Sequence, residues 1–232
     1  MARQLLGTRE RQHVTERLSG LVRPIRLLVF RAHNSRTGEA TEDLARELCD
    51  AVPALRAEVV YDEDIAGRSG RARFAAFGIE HTPALAIGVG DGQGDTPDNG
   101  IRFYGFPGGY EFDSLLEALG RVSRADPGFT AAETAELNPA QGVPMHLQVF
   151  ITPTCPYCPR MVQVAHRLAL YDPAIRADMV DALEFPDLAD RYNVRGVPLT
   201  VVDETLLIEG AVPEHHLLQQ LREHRLAASH VG

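Results

Sequence analysis

The sequence predicts an α/β protein made of two successive copies of one unit, each a central mixed sheet flanked by helices, with a single helix ahead of the first. Three observations carry this. A chain of 232 residues is long for one compact domain and short for two large ones, so it suits two units of about 100 to 120 residues. The chain also repeats itself: a shift of 120 residues lays Leu27, Val29, Phe30, Ala45 and Leu48 on Leu147, Val149, Phe150, Ala165 and Leu168, five apolar matches in one ungapped register. The order of strand and helix patterns is the same in both halves.

Residues 9–21 open the chain as an amphipathic helix. A strand through Leu27, Val29 and Phe30 follows, then a helix beginning near Gly38, with Ser35 placed to cap it. Further on, a shift of 115 lays Phe77-Gly-Ile-Glu-His-Thr-Pro83 on Tyr192-Asn-Val-Arg-Gly-Val-Pro198, and a shift of 105 lays Gly105 on Gly210. The shift drifts because the Gly/Asp-rich run 88–100 lengthens a hairpin loop in the first half. A loop at 105–109 leads to a closing helix over 111–122, and 124–142 reads as a linker with a short helix at 131–137. In the second half, 145–152 is an extended apolar run, and 156–171 carries a helical stripe of Met161, Val164, Ala165, Leu168 and Ala169. A strand at 176–182 and a short helix at 186–192 come next. The stretches 199–202 and 206–208 flank a turn as a hairpin, and 214–226, with Leu217, Leu218 and Leu221 on one face, closes the unit. The expected boundaries are 1–123 for the first unit, 124–142 for the linker and 143–232 for the second unit.

Hydrophobic residues at 44% and charged residues at 24% are ordinary globular usage and exclude a disordered or fibrous chain. No apolar run approaches the ~20 residues of a membrane span, and the N-terminus has no signal-type stretch, so a cytoplasmic protein that meets no membrane is expected. The balance of 23 basic against 32 acidic residues, net −9, argues against a phosphate-tracking surface and hence against nucleic acid. Every basic residue is Arg, which removes any mechanism needing a Lys amine.

Three cysteines do not make a disulfide scaffold, but Cys155-Pro-Tyr-Cys158 reads as redox or metal chemistry. Cys155 falls between a strand and a helix, with Pro156 suited to the first helical position. Pro159 removes at most one early ladder hydrogen bond. That place, together with Arg160, favours a thiolate at Cys155. Cys158, three residues on, lies within reach of a mixed disulfide formed at Cys155. Spacing thus makes Cys155 the nucleophile and Cys158 the resolving thiol. The competing reading is half of a zinc site, with His146, His166, His215 and His216 as further ligands; none has the partner spacing of a zinc motif, so no metal is expected.

Thr152-Pro-Thr-Cys155-Pro-Tyr-Cys158-Pro, then Asp190-Arg-Tyr-Asn-Val-Arg-Gly-Val-Pro198, and Arg102-Phe-Tyr-Gly-Phe-Pro-Gly-Gly-Tyr-Glu-Phe112 resemble the glutaredoxin-like protein disulfide oxidoreductases, over nearly the whole chain. The resemblance implies two tandem thioredoxin-like folds and an oxidoreductase that reduces, oxidises or reshuffles protein disulfides. It makes Val197-Pro198 a cis-proline element facing the disulfide, with Pro83 its counterpart. Pro156, Tyr157, Val197 and Pro198 would then contact substrate. It further implies no bound cofactor beyond the redox-active Cys155/Cys158 disulfide, and a thioredoxin-reductase-like flavoprotein as electron donor. One departure matters: the family usually carries a Cys pair in both halves, yet Ser35 and Gly38 stand opposite Cys155 and Cys158. Similar one-active, one-inactive tandem folds occur in flavoproteins that reduce peroxiredoxins, which makes an electron relay an alternative, as is a non-enzymatic docking scaffold. Ser35 reads as a helix cap, His33 alone being weak grounds for a serine nucleophile, and Cys49 as a buried small hydrophobe. The Gly-rich run 88–94 reads as a mobile hairpin loop, 105–109 as a structural turn, and Asp62 to Asp64 as a solvated helix entry.

Overall fold

The computed structural model describes residues 4–62, 70–90, 97–137 and 141–229. Its first half runs α1 (Thr8–Arg17), β1 (Ile25–Arg31), α2 (Arg36–Ala51), β2 (Leu55–Tyr61), α3 (Gly70–Ala76), β3 (Ala84–Val89), β4 (Ile101–Tyr104) and α4 (Glu111–Arg124). Helix α5 (Ala131–Leu137) lies between the halves. The second half runs β5 (Met145–Ile151), α6 (Cys158–Tyr171), β6 (Ile175–Asp181), α7 (Pro186–Arg191), β7 (Leu199–Val202), β8 (Leu206–Glu209) and α8 (Glu214–Ser229). Helix α1 is shorter than its apolar pattern: Ser19 folds back and both its N–H and its hydroxyl donate to the Glu16 carbonyl, at 3.4 and 2.9 Å, which tightens the last turn and ends the helix. No helix among the described residues is long and apolar enough to cross a membrane.

The repeat read from side chains reappears in backbone hydrogen bonds, with the same drifting shift. At 120 residues, Ile25 N–H to Ala54 O matches Met145 N–H to Ala174 O. At 115, Ile79 N–H to Phe74 O matches Val194 N–H to Ala189 O, and at 105, Gly105 N–H to Pro83 O matches Gly210 N–H to Pro198 O. Both Thr82-Pro83 and Val197-Pro198 are cis.

All eight strands join one sheet, in the order β2-β1-β3-β4-β6-β5-β7-β8, so the second half is the first displaced along the sheet. The outer strand of each unit runs parallel to its neighbour and the following pair antiparallel. Period-two alternation divides the core. Leu27 and Val29, with Leu147 and Val149, face the larger cluster under α1, α2, α4, α6 and α8. Leu28, Phe30 and Phe150 face a smaller cluster with Phe77, Tyr104 and Val180.

The halves meet where β4 pairs parallel with β6, Ile101 opposite Ala177 through Tyr104 opposite Val180. Charges hold this joint. Asp178 on β6 is fully buried and bonds His146 Nε2 at 2.6 Å and Arg176 Nε at 3.1 Å, with Arg102 Nη1 of β4 at 3.9 Å. Arg176 also donates to the Tyr104 hydroxyl at 2.9 Å, and Arg102 to the Phe77 carbonyl at 2.7 Å. Burial alone would push the Asp178 carboxyl up; the His146 contact and the two guanidinium charges outweigh it and hold the group below the usual carboxylate range. Replacing Asp178 by Ala removes the buried carboxylate on which Arg102, Arg176 and His146 converge, while Asp98 and Glu80 still pair with the two arginines, so urea unfolding should show a loss of about 1.5–3 kcal/mol. A loss under about 1 kcal/mol would mean that the joint does not depend on this carboxylate.

Candidate active site

Cys155 lies in the turn after β5, its N–H donating to the Thr152 carbonyl at 3.0 Å. It forms a disulfide with Cys158 across a Cα separation of 5.6 Å. Cys155 keeps 7% of its surface exposed and Cys158 none, so only the first sulfur can meet a partner. The helix begins at Cys158, two residues later than expected, and Pro156 is not its first residue. The cause is Pro159, which has no N–H to offer the Cys155 carbonyl, so the ladder cannot start there. Pro156 and Tyr157 form an exposed turn at the mouth of the helix, with Tyr157 69% exposed.

The Cys155 sulfur lies 3.8 Å from the Val197 carbonyl oxygen, so the chain brings Val197 and Pro198 to the disulfide from 42 residues away. Beside them opens a groove of about 530 Å³, walled by Tyr192, Arg195, Gly196, Val197, Leu207 and Glu209. Its outer wall is β8, the free edge of the sheet.

The equivalent place in the first half has the same backbone and different chemistry. Ser35 N–H bonds the Ala32 carbonyl as Cys155 does that of Thr152. The Ser35 hydroxyl accepts from Gly38 N–H at 2.9 Å and caps α2. His33 stacks on Tyr61, ring centroids 4.2 Å apart, so it is not set as a base for Ser35. Beneath them Arg31 and Glu42 form a buried ion pair at 2.6 Å, where the 120-residue register puts Ile151 and Val162. Cys49 packs half-buried against the core, and burial pushes its thiol up to about 11. His146 belongs to the joint, His166 is buried between α4 and α6, and His215 and His216 pack on each other. Among the described residues no three His, Cys, Asp or Glu side chains cluster to hold a metal ion. Residues 91–94 of the Gly-rich run, and 63 and 64 of the acidic run, lie outside the described residues.

One residue of the site is not legible from the motif. The 105–109 turn docks on the second half: Tyr110 N–H donates to the Pro153 carbonyl at 3.2 Å, and Gly109, at φ +60°, passes so close to that carbonyl that a side chain there would collide with it. Helices α4 and α6 leave the same end of the sheet, because β4 and β5 both run parallel to β6. They pack side by side, which sets the first turn of α4, with Glu111, and the first turn of α6, with Cys158, at the same end of the sheet. Glu111 is fully buried with no hydrogen-bond partner of good geometry for either oxygen. Burial pushes its carboxyl up to about 7, opposed in part by nearby Ser114. A signal for it exists in the sequence: Glu111 stands in helical register with the buried Leu115, Leu119 and Val122.

Comparison with known proteins places these features. Residues 145–223 match the thioredoxin domain family. Among curated relatives, an NADH dehydrogenase of Ferdinandcohnia aciditolerans is 27% identical over 159 residues, and the AhpF component of alkyl hydroperoxide reductase from Staphylococcus epidermidis 27% over 158. Each match covers 68% of this chain, which spans about 30% of the length of those relatives. A protein disulfide oxidoreductase from Aeropyrum pernix is 27% identical, with a TM-score of 0.83 over 97% of this chain and 96% of that one. The AhpF component of alkylhydroperoxide reductase from Enterococcus faecalis has the same fold, at 24% identity and a TM-score of 0.81 over 94% of this chain and 100% of the compared one. The chain therefore has two tandem thioredoxin-like folds, and its residues 145–223, which match the thioredoxin domain family, carry a Cys155–Cys158 disulfide.

Proposed function

We propose that this protein is a cytoplasmic thiol-disulfide oxidoreductase that acts on protein disulfides through Cys155, with Cys158 as the resolving thiol. The observation that carries the reading is the placement of the Cys155 sulfur against the Val197 carbonyl at the head of an open groove. An extended substrate segment can pair with the Val197 backbone there and present its own sulfur to Cys155. The exposed Pro156-Tyr157 turn gives it an apolar surface to lie on, and Pro198 backs the Val197 strand. Residues 143–232 hold the redox chemistry, residues 1–123 are redox-silent, and 124–142 connect them.

In the reducing direction, the Cys155 thiolate attacks a substrate disulfide. One substrate sulfur leaves as a thiolate and a mixed disulfide forms. Cys158 then loses its proton and attacks Cys155, expelling the second substrate thiolate and closing the Cys155–Cys158 disulfide. Two electrons have passed from the dithiol to the substrate. Cys158 is sealed from water, so its proton needs an acceptor within the protein. Glu111 is suited to this, since a carboxyl near 7 is ionised for part of the time at neutral pH. The silent half thus supplies the base for the active one. A thioredoxin-reductase-like flavoprotein returns the electrons.

The likeness to the AhpF component of alkyl hydroperoxide reductase favours a second reading, in which the same dithiol relays electrons toward a peroxide-reducing peroxiredoxin. The thiol chemistry is identical, and the two readings differ in the acceptor.

Cys158→Ser should trap protein partners on Cys155 as stable mixed disulfides, visible on non-reducing gels, while Cys155→Ser should abolish both trapping and insulin reduction. Trapping by the Cys155 variant alone would reverse the roles. Glu111→Gln should slow resolution of the mixed disulfide by about 10²-fold at pH 8 and remove the rise in rate around pH 7; an unchanged pH profile would dismiss Glu111 as the base. The same variant has a stability signature. A carboxyl raised in the folded state binds its proton there more tightly than in the unfolded chain, so wild-type stability falls as pH climbs from about 4.5 to about 7. The Gln variant should lose that slope and gain on the order of 3 kcal/mol above pH 7 relative to wild type, measured by urea unfolding across pH.

A further inference from the structure

We infer that Tyr110 of the redox-silent half and Leu183 form a docking pad beside the disulfide, and that it takes a folded protein presenting its cysteines on an uncharged face. This rests on the reading of Cys155 as the reactive thiol and names the class of partner that reaches it.

Among the described residues, five large apolar side chains are exposed, and four of them stand at the disulfide end of the sheet. Tyr157 is in the turn between the two cysteines, and Leu207 lines the groove beside Val197. Tyr110 and Leu183 are on the opposite flank, because β4 and β6 lie on one side of β5 and β7 and β8 on the other. Hydrogen bonds fix that flank. Ala182 N–H donates to the Ile151 carbonyl at 3.0 Å and Tyr110 N–H to the Pro153 carbonyl at 3.2 Å, while Glu184 accepts from Phe106 N–H at 2.8 Å. The loops that follow β4, β5 and β6 are thus tied together, yet the Tyr110 and Leu183 side chains remain exposed. The fifth, Val22, precedes β1 and lies at the other end of the sheet, since β1, β4, β5 and β6 all run in one direction.

Charge points the same way. The stretches 105–110, 152–158, 182–183 and 196–198, which meet around the disulfide, hold no Arg, Asp or Glu, in a chain of which 24% is charged. Charged residues begin at their edges, with Arg160, Glu184 and Arg195. A centre depleted of charge and holding tyrosines, inside a charged rim, is how surfaces that meet another folded protein are built. Single exposed apolar residues need no partner, whereas a group gathered around a reactive sulfur marks a contact. Breadth selects the partner. A segment paired with Val197 covers one flank of Cys155, but a partner that covers both must reach from β4 to β8, four strand spacings or about 19 Å across, which is the width of a folded face. When such a partner docks in its dithiol form, its thiolate attacks the Cys155 sulfur and Cys158 leaves as a thiolate, which takes up a proton. The partner's second thiol then loses its proton, closes the partner's own disulfide and expels the Cys155 thiolate. Two electrons have passed to this chain, and the reverse sequence passes them on.

The test mixes the oxidised full chain with two dithiols: reduced thioredoxin, a folded protein, and dithiothreitol, which has no surface to dock. Thioredoxin lies toward the reducing end of such couples, and its tryptophan fluorescence reads the exchange cleanly because this chain has no Trp. The dithiothreitol reaction is read by acid quench and thiol alkylation. Tyr110→Ser should slow the thioredoxin reaction about fivefold or more, and adding Leu183→Ser should slow it further, while the dithiothreitol rate and thermal unfolding stay at wild type. Val22→Ser, the same kind of change at the far end of the sheet, should leave both rates as they are. Wild-type thioredoxin rates in the pad variants would overturn the proposal, as would equal slowing with both dithiols, which would place the effect in Cys155 itself. Self-association of the wild type that the pad variants lose, at unchanged thioredoxin rates, would make the pad a contact between copies instead. If the wild type took electrons from neither dithiol, the reading of the Cys pair would fall; if it took them from dithiothreitol alone, that reading would stand and the pad would be wrong.

Discussion

The pairing of β4 with β6 is the contact on which the rest of this molecule depends. In a solitary unit each of these strands would end a sheet, with a row of unpaired backbone groups open to other chains. Joined, they close eight strands into one sheet and bury Arg102 and Asp178 at the join. They also set α4 of the first half beside α6 of the second. That neighbourhood sets Glu111 at the same end of the sheet as the Cys pair and builds the seam that holds Ser114 and His166.

The two halves show how far chemistry can change on a retained backbone. Ser35 and Cys155 make the same turn hydrogen bond, and both cis-proline peptides are present. Beneath the turn, however, Arg31 and Glu42 replace what is Ile151 and Val162 in the second half. A buried ion pair is tolerated because each charge meets the other, and Arg31 also donates to the His33 carbonyl. A cation so placed is spoken for, and Ser35 is engaged as a cap. The first half keeps the shape of a redox fold while its reactive position has become structural.

Much of this is legible in the sequence because it is local. Apolar periodicity locates the second-half strands and most helices within one or two residues, and the drifting shift of 120, 115 and 105 residues anticipates the matching hydrogen bonds. Cys155, Cys158, Val197 and Pro198 follow from motif and resemblance and lie together. The start of α6 differs from expectation because Pro156 outweighs Pro159 in a motif reading, whereas the one ladder donor that Pro159 lacks is the donor that would have begun the helix. The joint is illegible for a different reason. It pairs strands more than seventy residues apart, and no motif or repeat marks Arg102, Arg176 and Asp178 as partners. Glu111 is masked differently, since a Glu in the first turn of a helix ordinarily signals a favourable dipole contact, and that reading overrides its helical register with Leu115, Leu119 and Val122.

The single sheet has a consequence for traffic. The disulfide stands on the same ladder of strands as every other part of both halves, so no swing of one half against the other can carry it from an electron donor to an acceptor. On the proposed function, both must come to the one exposed sulfur, on one face, by turns. On that reading each would exclude the other while docked, and the chain would be a berth for alternating visitors. Throughput is then governed by how quickly a departing partner clears the Val197 edge, and a donor that binds too tightly would slow the flow it feeds.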